Sequence, residues 1–446
     1  MLARRPIFIS AVLAAFLAHP AGAGERTLYS FNPWISNAGS NPTGTLLRDA
    51  NGALYGVASL GGAYYNGTIF KLSPPVGART EWTMSVIYTF RGAEDGGYPN
   101  PRLVMDASGA IYGTAASAGS WTTQGVVFKL TPPSLGSGEW KQEVLHYFNY
   151  FRWDDNANDG ANPSGGLIMD RNGALYGTTC LGGSTSGAAT GHGAVFKLTP
   201  LDAGRTRWQE TVLYRFQGGA DGENPMSALT LDAAGALYGT TLYGGAGPCY
   251  LGCGTVFKLT PPGYGQTEWI KTTLYSFSGG ADGGAPQGKL LLGGSGAVYG
   301  TTYKGGTGDC RDGLGYPIGC GVVFKLTPPA AGQTRWTPSV LRDFSGPDGA
   351  FPQGGLISDG TGALVGTASA GGPERYGAGS FGLVFRLLPP APGQLDWTET
   401  VLHYFDVSTS GNMPIGELIQ GPDGRLFGAT YYGGEGLGGT IFEITP

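Results

Sequence analysis

Ionisable side chains are scarce in this sequence. Only 13% of its 446 residues are Asp, Glu, Lys or Arg, and His occurs four times. The 27 Lys and Arg stand against 32 Asp and Glu, a formal net charge of −5, which disfavours nucleic acids and anionic membranes as partners. The poverty in histidine excludes more. With no nucleophile elbow, metal-protease motif or nucleotide loop either, little is left from which to build a serine hydrolase or a His-rich metal centre. A helical period is missing too, and beyond the N-terminus no apolar run could span a bilayer.

Glycine, by contrast, is abundant. Gly 82 and Pro 30 border on the composition of a disordered chain, yet 41% of the residues are hydrophobic and 12% aromatic. The glycines also recur at fixed places, so they mark turns and close-packed strands. Residues 1–23 read as a cleavable secretory signal: Arg4 and Arg5 form a basic start, 7–18 is apolar but too short to cross a membrane, and Ala21-Gly22-Ala23 fits the small-residue cleavage rule. Its removal leaves 25 basic residues against 32 acidic ones, or −7. The mature chain, 24–446, is expected to be a soluble monomer, secreted or periplasmic.

Three blocks repeat along it. Gly-Ala-Leu-Tyr-Gly-Thr at 173–178 recurs with its second glycine at Gly56, Gly113, Gly177, Gly239, Gly300, Gly366 and Gly428. Val-Phe-Lys-Leu-Thr-Pro places its aromatic at Phe70, Phe128, Phe196, Phe257, Phe324, Phe385 and Phe442. A block opening on Trp ends at Phe90, Phe148, Phe216, Phe277, Phe344 and Phe405. Each is short, rich in β-branched and aromatic residues and bounded by Gly or Pro, which is the signature of a strand. One repeat reads as strand A over 166–170, B over 174–179, C over 194–199 and D over 208–216. Asp-x-x-Gly between A and B, as at Asp170 and Gly173, suits a tight hairpin, and its aspartate is structural.

A lone four-stranded sheet buries too little surface to stand alone, so the repeats must stack. The phase of the chain indicates how. Thr27-Leu28-Tyr29-Ser30-Phe31 matches the end of strand D, whereas the last repeat stops after strand C at Thr445-Pro446. An N-terminal strand that completes the last sheet leaves no open edge, and the expected fold is an all-β, seven-bladed propeller with four antiparallel strands per blade. In the last repeat the usual Lys of strand C becomes Glu443 and the usual Ala of strand B becomes Arg425, so these two are predicted to face each other.

Leu-Tyr-Gly-Thr-Thr-x-Tyr-Gly-Gly at 237–245, followed by Gly-Thr-Val-Phe-Lys-Leu-Thr-Pro-Pro at 254–262, resembles the exported bacterial tandem-repeat family called GloVer, the choice-of-anchor repeat proteins. The resemblance implies export from a bacterium and, often, a C-terminal anchor. No anchor follows Pro446, a departure that weighs against surface attachment. It brings no reaction and no catalytic residues.

The A to B turns are short and alike, whereas the B to C loops vary freely in length and content. B to C and D to A connections emerge on one side of a propeller, and variable loops on a rigid scaffold are where binding resides. Six tryptophans open strand D and are packing residues. Trp34, Trp121 and Trp153 instead fall in loops of this variable face, with Tyr64, Tyr65 and Tyr150 in neighbouring segments and His192 on a further loop. Such aromatics suit a sugar ring or an apolar partner surface, or else they cover the propeller's end.

The Asp-Gly-x-x-Pro of the D to A loops at Asp95, Asp159, Asp221, Asp282 and Asp348 reads as turn chemistry before a cation ring. No cofactor is expected. The one cation candidate is calcium at Asp154, Asn156 and Asn158, a segment without the glycine at the sixth place and the closing glutamate of a calcium loop. Cys249 with Cys253, and Cys310 with Cys320, are the preferred disulfides, each within one variable-face loop. Cys180 reads as a buried thiol.

The leading expectation is therefore an exported binding module for a glycan or an extracellular protein, with no catalytic residue assigned. A polysaccharide hydrolase or lyase on the same face, using loop carboxylates such as Glu94, Asp309, Asp312 and Glu374, is one alternative. A structural or adhesive cell-surface protein is the other.

Overall fold

The computed structural model describes residues 24–34, 37–92, 94–117, 123–134, 138–149, 159–183, 191–373 and 381–446. Residues 1–23 lie outside these, as do Trp121, Tyr150, Trp153, Asp154, Asn156, Asn158 and Glu374. Seven antiparallel sheets form a seven-bladed β-propeller. In the fourth blade strand A is Thr230–Leu231, B is Leu237–Thr241, C is Thr255–Thr260 and D is Ile270–Ser276, paired in that order. Among the described residues the helical content is one 3₁₀ turn, Gly219–Asp221.

The repeat blocks owe their form to packing. Gly239 of strand B sits directly opposite Phe257 of strand C, and a Cβ on that glycine would come within 2.6 Å of the phenyl ring. The same register places Gly56 against Phe70 and Gly428 against Phe442. Phe257 in turn meets Phe216, the last aromatic of the preceding blade, edge to face at 5.1 Å. Seven ring contacts of this kind run round the molecule, six edge to face and Phe344–Phe385 tilted, each joining one blade to the next, so the hydrophobic core lies between blades. Edge-to-face contact at this distance is favourable beyond the area it buries.

Backbone joins the blades as well. Ala285 donates its N–H to the carbonyl of Cys253 in the blade before, at 2.8 Å, while Pro286 packs on Gly254. Gly254 has φ +91°, and a Cβ there would lie 2.6 Å from the proline ring, so no other residue fits. In the A to B turn Asp232 accepts the N–H of Ala234 at 2.9 Å and of Ala236 at 2.8 Å, as expected of a structural aspartate. The strand D tryptophans are half-buried; Trp208 packs on Tyr112 of the neighbouring blade, its ring 5.9 Å away.

The ring closes as the phase of the sequence requires. Strand Gly24–Ser30 pairs antiparallel with Thr440–Thr445, Thr27 lying opposite Phe442 and Ser30 opposite Thr440. Phe31 then packs on Phe70 of the first blade at 5.2 Å. Arg425 and Glu443 face each other as predicted, with Nη1 donating to Oε1 at 3.0 Å.

Candidate functional site

The variable face is built from loops whose bases are tied to the core. In the fourth blade Cys249 and Cys253 form a disulfide, and in the fifth Cys310 and Cys320 do. Cys253 and Cys320 are fully buried at the start of strand C, so each bond ties its loop to the core. Between the cysteines the side chains point outward: Tyr250 is 92% exposed and Leu314 84%, with Leu251 and Tyr316 exposed beside them. Within the second loop Asp312 accepts the N–H groups of Leu314 and Tyr316, both at 2.9 Å, and Arg311 pairs with Asp309 at 3.0 Å. These two carboxylates shape the loop itself.

Other blades add to the same face. Trp34, in the turn between the closing strand and the first blade, is 83% exposed, and its backbone N–H donates to Asn32 Oδ1. Tyr64 and Tyr65 are exposed on the first blade's B to C loop, the Arg91 guanidinium lying 5.9 Å from the Tyr64 ring. Tyr432 and Leu437 are exposed on the seventh blade's loop. Tyr65, Leu251 and Leu437 hold φ of +62°, +68° and +63°. Bulky residues rarely adopt that conformation, which costs roughly 1–2 kcal/mol per residue and is open to glycine at no such cost. An exposed apolar side chain kept at such a position suits a contact made outside the molecule.

His192 joins a different arrangement. Its Nδ1 lies 2.6 Å from Oε2 of Glu223 in the next D to A loop, which fixes the ring at the seam between blades three and four. The loop aspartates are employed in turns: Asp221 accepts the Tyr214 hydroxyl at 2.8 Å and the Gln217 N–H at 2.9 Å, and Asp95 and Asp282 are held alike. His146 replaces the tyrosine at one seam and lies 2.7 Å from Asp159, while burial and Asp159 push the nearby Glu210 carboxyl up to about 7 against the pull of His146. Cys180 is half-buried, and burial pushes its thiol up.

Of the residues singled out in the sequence, Trp34, Tyr64 and Tyr65 share the exposed face, and His192 lies on it with its ring engaged. Trp121, Tyr150 and Trp153, and the calcium candidates Asp154, Asn156 and Asn158, fall outside the described residues. Tyr250, Leu251, Leu314, Tyr316, Tyr432 and Leu437 were missed. Apolar residues between two cysteines of one loop were the signal available for four of them.

A family model, the Gloeobacter/Verrucomicrobia repeat, matches three times, over residues 14–247, 180–391 and 252–446. The chain belongs to this family. No curated protein matches it. Solved structures resemble this Gloeobacter/Verrucomicrobia repeat protein only distantly. A protein assigned as a gluconolactonase aligns over 96% of this chain and 93% of its own at 15% identity, with a TM-score of 0.39. A glucose dehydrogenase aligns over 95% and 99%, at 15% identity and a TM-score of 0.43. PorZ, a surface component of the type-IX secretion system of Porphyromonas gingivalis, aligns over 94% of this chain but 48% of its own length, at 11% identity and a TM-score of 0.49. At these values the likeness carries no argument about activity.

Proposed function

We propose that this repeat protein is an exported binding module that receives a glycan or an extracellular protein on the face of its B to C and D to A loops. The observation that carries the reading is the pair of disulfide-tied loops that hold Tyr250, Leu251, Leu314 and Tyr316 in solvent. Apolar surface displayed on a braced loop costs solubility and contributes nothing to the core, so its use lies in contact with something else. Aromatic rings suit the flat apolar face of a sugar and equally the centre of a protein interface. Two internal disulfides agree with an oxidising compartment.

A glycan array, paired with pull-down from the outer surface of the source cell, tests the reading on the mature protein. Ligand bound by the native protein should be lost or weakened at least tenfold by Tyr250→Ala combined with Tyr316→Ala, while circular dichroism stays unchanged. Capture that survives both substitutions would place the contact elsewhere, and protein exported with its first 23 residues intact would remove the signal from the account.

A further inference from the structure

The residue just before the strand A leucine occupies one equivalent place in every blade: Thr45, Arg102, Gly166, Ala228, Lys289, Gly355 and Glu417. Three are charged and three are small. Ring closure brings the charged three together. Arg102 pairs with Glu417 across the axis, and Lys289 Nζ lies 3.7 Å from Glu417 Oε1. The small ones make room for them: a Cβ on Gly166 would come 2.5 Å from Arg102 Cβ, and one on Gly355 would meet both Lys289 Cβ and the Glu417 carboxyl at 3.3 Å. Together with residues from all seven blades, the three charged side chains line an axial cavity of about 90 Å³.

The charges in this cavity do not balance. Arg102 and Lys289 supply two positive charges, Glu417 supplies one negative charge, and no other ionisable side chain is among the residues lining it. The Glu417 carboxylate is shared between the two cations, its Oε2 paired with Arg102 and its Oε1 3.7 Å from Lys289, and Arg102 also reaches Thr45 Oγ1 at 3.4 Å. The Lys289 ammonium has three N–H donors and, among the described residues, no acceptor within hydrogen-bonding distance. Burial and the neighbouring Arg102 bring it down to about 8, the mark of a cation short of compensation. Lys289 keeps 26% of its side chain exposed and Arg102 16%, so the excess positive charge is partly shielded from water and gains from an anion that pairs with it.

We propose that the axial cavity is a binding site for a small carboxylate anion, seated between Lys289 and Arg102. Charge sets the class, because one negative unit restores neutrality. Volume sets the size: sites for larger organic ligands run to about 300 Å³ or more, so a sugar ring is excluded and an ion of acetate's dimensions is admitted. Planar oxygens offer acceptors to the ammonium and to the guanidinium fork together. The site is separate from the loop face and does not depend on its ligand.

Titration calorimetry and thermal unfolding of the mature protein with sodium acetate, against acetamide as the neutral isostere and sodium chloride at equal ionic strength, test the proposal. Acetate should bind at one site per chain and raise the unfolding temperature saturably, whereas acetamide and chloride should not. Lys289→Met should weaken acetate binding at least tenfold, and Glu417→Gln, which leaves both cations, should tighten it. The second variant keeps the test open if the first fails to fold. Absence of saturable acetate binding, an equal response from Lys289→Met and the native protein, or weaker binding by Glu417→Gln would each overturn it.

Discussion

At the scale of single residues, the repeat is explained by one mutual constraint. The strand B glycine is small because the strand C phenylalanine lies over it, and the phenylalanine is there to meet the ring of the adjoining blade. Gly239→Ala forces a methyl group into contact with Phe257 and with Leu229, whose Cδ2 would lie 3.0 Å away. Overpacking of this kind costs typically 1–3 kcal/mol. Urea unfolding of the variant should therefore show a loss of about 2 kcal/mol at an unchanged slope. This constraint is also why the blocks could be found in the sequence at all. Arg425 and Glu443 were legible for the same reason, since a departure at one position of a fixed register invites another at its neighbour. Arg102, Lys289 and Glu417 were not, although they share one place in the repeat. They lie far apart along the chain, and only closure of the ring puts them in contact.

At the scale of elements, the strands and the loops obey different rules. Strand sequence is bound by the Gly–Phe register and by the proline joint at each seam, so strands B, C and D were readable almost to their ends. Loop sequence is bound by neither. The placement of four cysteines within two loops gave the disulfide pairing, but the direction in which Tyr250 and Tyr316 point depends on backbone turns that no period encodes. If the Cys249–Cys253 bond serves the loop, its removal should be felt there. In a Cys249→Ser, Cys253→Ser variant, amides at 249–252 should exchange faster with deuterium while Thr255–Thr260 keeps its protection. The chain-entropy relation gives a global loss of about 2 kcal/mol for so short a loop. Equal loosening of the strand would show that the bond supports the blade instead.

At the scale of the whole molecule, closure is what gives every other feature its place. Without it the final sheet would have three strands and an open edge, the ring of phenylalanine pairs would stop at Phe442, and the axial charges would not meet. The paired N-terminal strand makes the two chain ends one structural unit, and the loop face is continuous round the ring only because of it. Hydrogen–deuterium exchange on the mature protein measures this directly. The amides of Gly24–Ser30 that face Thr440–Thr445 should be protected as strongly as those of an internal strand D such as Ile270–Ser276. Exchange of the first strand at the rate of a free tail, with Ile270–Ser276 still protected, would contradict the closed ring.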